Sequence, residues 1–184
     1  MYVKTIYLYI IELIFFRGCS TTSNDFKKYT EQINKLQTPI IFRTIQFSDN
    51  PPSNKIDKIL FDKYKYADAN EVYGKIYEGD KFVAIIYTVK GDVLVPILGT
   101  YDKNGNQIDS LNLFQNASGF NVQSETYISL KFYPNKVMQE IDSTLTWTLN
   151  VSGDDRLSGS EKINIDSFTY TINDAGKIIL NKHP

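Results

Sequence analysis

The chain has 184 residues with 20 basic and 21 acidic side chains, one Cys and one His, for a formal net charge of −1. A balance this even, with no long block of one sign, offers no electrostatic footprint for nucleic acid or for an anionic membrane surface. The sole imidazole, His183, stands beside the C-terminus, which argues against zinc sites, Cys/His proteases and Ser-His-Asp hydrolases and leaves carboxylate, Lys, Tyr and Ser/Thr chemistry with no expected metal or cofactor.

The first element is an apolar run, Ile6 to Phe16, followed by Gly18, Cys19 and the polar stretch Ser20-Thr21-Thr22-Ser23-Asn24. One Lys near the start, an apolar stretch too short to span a bilayer well and a small residue before the Cys predict a bacterial lipoprotein signal over 1–18. Cys19 is then the lipidated first residue of the mature chain, and 19–24 is its tether. Glu12 inside the run and Arg17 before Cys19 count against clean processing. The alternative is an uncleaved amphipathic or anchoring N-terminus with an incidental Cys. Either reading places the body outside the cytoplasm, and a lipid on Cys19 leaves no thiol for other chemistry.

Next, Phe26, Tyr29, Ile33 and Leu36 recur at helical spacing, so one short helix is expected within 25–38, with Asp25 able to cap it and Pro39 just past its end. From 39 to 184 the signals are those of strands. The stop Asp49-Asn50-Pro51-Pro52-Ser53-Asn54 interrupts them, because two prolines remove ladder donors. Expected strands are Ile40 to Phe47, Lys55 to Asp62, Val72 to Tyr77, Phe82 to Val89, Val93 to Tyr101, Gln107 to Leu113, Glu125 to Tyr133, Lys136 to Asn150, Glu161 to Ile172 and Lys177 to Asn181. The nearly continuous apolar character of Phe82 to Val89 and Val93 to Gly99 predicts central strands covered on both faces. Pro96 there demands an edge or a bulge. The turns at Gly79, Gly91, Gly105 and Gly176 supply residues suited to positive φ. Two segments, Tyr101 to Ile108 and Ile172 to Ile179, share one strand-loop-strand frame that fits either a blade-like repeat or a plain meander. The fold class is therefore all-β, mainly antiparallel, as a sandwich, barrel or blade-like meander with one short N-terminal helix.

Three stretches, Tyr73-Gly74-Lys75-Ile76-Tyr77, Ala84-Ile85-Ile86-Tyr87 and Val95-Pro96-Ile97-Leu98-Gly99-Thr100-Tyr101-Asp102-Lys103-Asn104-Gly105-Asn106-Gln107-Ile108-Asp109-Ser110-Leu111, carry a resemblance. Together with the helix-then-Pro opening and the closing hairpin from Tyr170 to Ile178, the chain resembles small uncharacterised lipoproteins of Bacteroidetes over most of its mature length. The resemblance implies an outer-membrane or surface lipoprotein, and it implies no activity.

Among the motifs, Asp102-Lys103-Asn104-Gly105-Asn106 alternates oxygen donors, but Gly105 and Leu113 do not fall where a calcium loop needs its Gly and its bidentate Glu, so a hairpin turn is expected. The Gly/Ser-rich stretch around Asp154 and Asp155 reads as a long, mobile hairpin end. Ser110 and Ser143, each following an Asp, resemble the Asp-Ser/Thr acceptor of bacterial O-glycosylation, while Asp and Ser are equally ordinary turn and strand-end residues. The aromatic set Tyr64, Tyr66, Tyr73, Tyr77, Tyr127, Phe132, Tyr133 and Trp147 fills cores more readily than it builds a sugar-stacking platform. No acid pair stands out as a glycosidase dyad. The expected function is a non-enzymatic binding or structural module of the cell envelope, held to the membrane through Cys19 and meeting an envelope protein or a glycan. A small carboxylate-dependent hydrolase of envelope or dietary polysaccharide is the alternative. A concave pocket of converging acids would favour the hydrolase, and a flat exposed apolar or aromatic face the binding module.

Overall fold

The fold is seen in a computed structural model that describes residues 24–43, 54–90, 94–114 and 123–181. Within these residues the chain forms helix α1 (24–31), strand β1 (Ile40–Arg43), helix α2 (Lys58–Tyr64) and strands β2 (Ala69–Glu78), β3 (Phe82–Lys90), β4 (Leu94–Asp102), β5 (Gln107–Asn112), β6 (Ser124–Phe132), β7 (Val137–Thr146), β8 (Lys162–Ile172) and β9 (Ile178–Asn181). All strand pairs are antiparallel. One sheet runs β2-β3-β4-β5 and the other β1-β6-β7-β8-β9. The expected all-β fold with a short N-terminal helix is what the structure shows, in the form of two sheets.

Two cores explain the layering. Phe42, Ile86, Leu98, Leu130, Phe132 and Met138 pack between the sheets, whereas Phe26, Tyr29, Tyr64, Ile85, Tyr87 and Tyr101 fill the opposite face of the four-stranded sheet beneath the helices. Strand β3 divides its side chains between both, and Phe82 to Thr88 are all buried, as the continuous apolar run predicts. Pro96 is accommodated at an edge. The β4–β5 ladder ends at the Ile97–Asn112 pair, and the Pro96 carbonyl then accepts from Leu113 N, so the missing N–H falls where the ladder has stopped.

Several expectations need correction. Lys55 to Asp62 is not a strand: Asp57 accepts from the N–H groups of Ile59 and Leu60 and so caps α2. The alternation there is too short to override a good cap. The first helix ends sooner than the apolar spacing suggests. Residues 34–36 leave it and lie parallel to the edge of β2, with Leu36 N bonded to Lys75 O and Lys75 N to Asn34 O, so Leu36 joins the core between the sheets. Lys75 makes the turn affordable, its buried ammonium donating to Thr30 O at the helix end (3.1 Å) and pairing with Glu78 (2.8 Å). Asp25 lies within the helix and pairs with Lys63 instead of capping. Strand β7 stops at Thr146, short of Asn150. Of the four turn glycines, Gly105 and Gly176 have positive φ and Gly79 does not, while Gly91 lies outside the described residues.

The shared frame is real as local structure. Asp102 and Asn173 each accept two backbone N–H groups of their own loop, and each loop closes on its Gly N–H. The two hairpins are parts of different sheets, a geometry that fits the meander and not consecutive blades. At one flank the sheets are stitched together: Thr100 Oγ1 donates to Gly176 O (2.7 Å), Lys177 Nζ to Ile108 O (2.7 Å) and Ile178 N to Asp109 Oδ2 (3.1 Å). At the other, Tyr77 donates to Tyr133 O (2.6 Å).

Candidate functional site

The five-stranded sheet outruns its partner. Residues 124–127, 142–146 and 162–167 of β6, β7 and β8 form an end of the sheet along which β8 is exposed on both sides. Cross-strand register assigns the faces: Met138, Glu140 and Asp142 oppose Phe132, Leu130 and Ile128, so even-numbered residues of β7 and β8 face the core. Odd-numbered ones face out.

On the outward face, Tyr127, Ser143 and Ile165 lie side by side, and Glu125, Leu145 and Ile163 form the next row. Ile163 and Ile165 are each 67% exposed and Tyr127 51%. A polar chain orders the rim. Tyr127 donates to Glu125 Oε2 (2.9 Å), Glu125 Oε1 accepts from Arg156 (2.8 Å), and the Arg156 guanidinium stacks on Trp147 at 3.7 Å from the ring centroid. The neighbouring Glu125 carboxylate holds the Tyr127 phenol above its ordinary pKa. Arg156 reaches this position because the loop after β7, read from sequence as a mobile hairpin end, is tied. Asn150 accepts from Asp154 N, Asn150 N bonds to Asp155 O, and Leu157 N bonds to Thr148 O.

The inward face of the same strands holds an acid pair that sequence reasoning missed. Glu140 and Asp142 are 3% and 4% exposed. Burial, more than the nearby Asp142 charge, pushes Glu140 from its ordinary 4.5 up to about 7, and hydrogen bonds tie it to Asp142 and Tyr170. Glu140 is therefore largely protonated below neutrality. Burial and the Glu140 charge push the Tyr170 phenol up to about 12. Two acids and a phenol are the inventory of a hydrolase, but carboxyl groups this enclosed do not meet a polymer substrate in this conformation. In a cleft of about 230 Å³ at the other end, lined by Lys35, Tyr77, Glu78 and Lys136, Glu78 is paired with Lys75 and Lys136 with Asp174.

Of the predicted sites, Cys19 lies outside the described residues. Ser110 sits half-buried in β5 beside Gly99, and Ser143 sits half-buried on the outward face between Tyr127 and Ile165. Asp102 is locked in its turn, accepting from Asn104 N, Asn106 N and Asn106 Nδ2; burial pushes its carboxyl up, but these bonds outweigh that and hold it below its ordinary pKa. Tyr64, Tyr77 and Phe132 are core residues and Tyr127 is not. The acid pair was hidden because β7 alternates the wrong way. Val137, Ile141 and Leu145 mark the odd face as apolar, yet the apolar run of β6 turns the even face inward. Strand β8 did carry a signal. Its apolar parity switches from odd (Ile163, Ile165) to even (Phe168, Tyr170, Ile172) while its register with β7 continues without a bulge.

No family model, curated protein or solved structure matches this chain. No helix among the described residues is long and apolar enough to cross a membrane.

Proposed function

We infer that the protein is a non-enzymatic binding module of the cell envelope, anchored by a lipid on Cys19 and meeting an envelope protein or glycan through the outward face of β6, β7 and β8. The parity switch in β8 carries this reading. A strand that turns Phe168 and Tyr170 to the core side and buries Ile172, yet without a bulge turns Ile163 and Ile165 to solvent, leaves apolar area uncovered where a polar side chain would serve folding equally well. The aromatic and Arg content of the rim suits a contact surface. The outer-membrane placement and the kinship with Bacteroidetes lipoproteins belong to the same proposal and rest on the N-terminal pattern and the quoted motifs.

The test has two parts. Intact mass and fractionation of the chain beside Cys19→Ala should give a membrane-bound, acylated species beginning at Cys19 and a mutant lacking acyl mass. A photo-crosslinking residue at Tyr127 or Ile165 should form envelope adducts that one at Lys28, on the helical side, does not form. An unacylated chain retaining residues 1–18 would overturn the anchor. Turnover of glycan or peptide substrates, abolished by Glu140→Gln with Asp142→Asn, would overturn the binding reading in favour of the hydrolase.

A further inference from the structure

Strand β8 offers an edge as well as a face. β9 pairs with it from Thr169 to Ile172, and among the described residues no strand pairs with that edge from Lys162 to Phe168. The direction of its backbone groups follows from two bonds. Ile172 N donates to Lys136 O on the β7 side and Asn173 N to Lys177 O on the β9 side, so with unbroken register the N–H and C=O groups of Ile163, Ile165 and Ser167 point out along the free edge. Unpaired donors and acceptors on a strand with this β-propensity form a template for another strand.

We propose that the occupant is β8 of a second copy, paired antiparallel about a two-fold axis at Asn164. Antiparallel pairing requires residues with outward backbone groups to oppose one another, which allows only registers of odd against odd. Centred on Asn164, the pairing sets Ile163 against the partner copy's equivalent of Ile165, and Lys162 against that of Asp166, each twice by symmetry. Opposite charges then meet on the core-side face and apolar side chains on the outward face, both favourable cross-strand pairs. Centring on Ile165 instead sets Lys162 against Phe168 and Asn164 against Asp166, losing the ion pairs. Centring on Asp166 sets like charges together. A contact of this kind is isologous and closes as a dimer. It also joins the two outward faces across the axis, so that Ile163, Ile165 and Leu145 of both copies form one continuous apolar strip between the Tyr127 rims. The dimer goes beyond the binding role proposed above and stands or falls independently of the lipid anchor.

The full-length chain in detergent is expected to sediment as a dimer, and Lys162→Asp is expected to raise its dissociation constant about tenfold by placing like charges opposite. Lys162→Asp combined with Asp166→Lys should restore it. Asn164 has its backbone groups turned toward β7, so across the axis it forms a non-hydrogen-bonded pair with Cα atoms about 4.5 Å apart, within disulfide reach. In a Cys19→Ala background, Asn164→Cys should crosslink on mild oxidation. Lys162→Cys mixed with Asp166→Cys should also crosslink, and neither alone should. A monomer at about 100 µM, or a dimer that ignores the charge variants and leaves Asn164→Cys uncrosslinked, would overturn the proposal.

Discussion

Among the described acids, Glu140 is the one whose carboxyl folding pushes up. Its pKa rises from 4.5 to about 7 on folding, so between these values the folded chain holds a proton that the unfolded chain releases. The stabilisation linked to that proton is complete below about pH 4.5 and is lost as pH rises through about 7. Glu140→Gln keeps the shape and removes the charge. It should match the parent near pH 5 and exceed it at pH 8 by roughly 1–2 kcal/mol, read from urea midpoints at the two pH values. Equal gains at both would place the effect in packing, not ionisation. Tyr170 and Asp142 tie the group down, so the pair acts as a polar fixture of the core.

Helix α1 earns its place through packing. Eight helical residues are too few to hold without a partner surface. Phe26 supplies that surface, with its ring 5.1 Å from Tyr64, 6.0 Å from Tyr29 and 5.9 Å from Tyr101. Tyr29 and Tyr87 hydrogen-bond within the same cluster (3.2 Å), and burial raises both phenols well above their ordinary pKa. Phe26→Ala should cost about 3–5 kcal/mol in urea unfolding. A loss below about 1 kcal/mol would mean that the helical layer contributes little to the domain. Gly105 belongs to this contact too: at φ +88°, a Cβ there would lie 2.7 Å from the Tyr64 ring, so the turn between β4 and β5 is shaped by the helices it meets as much as by its own strands.

In the molecule as a whole, helices cover one face of the four-stranded sheet and the five-stranded sheet covers the other, so β3 and β4 are the shielded centre. The outward face of the larger sheet has no such cover among the described residues. Ile163→Asn with Ile165→Asn should therefore change stability by no more than about 0.5 kcal/mol while abolishing crosslinked adducts from Tyr127. Destabilisation by several kcal/mol would instead show that this face is covered within the chain. The type of nearly every strand, the turns at Gly105 and Gly176 and the two-sided burial of β3 were legible from residue order, because apolar runs, β-propensity and turn chemistry are local properties. Lys55 to Asp62 was misread since a single side chain, Asp57, chose helix over strand. The division of the strands into two sheets, the inward turn of Glu140 and Asp142 against the alternation of β7, and the stretch of β8 edge that no strand among the described residues pairs with were decided only in three dimensions. Which face of a strand is buried depends on the register it takes with partners distant in the chain, and a shift of one residue reverses every side chain.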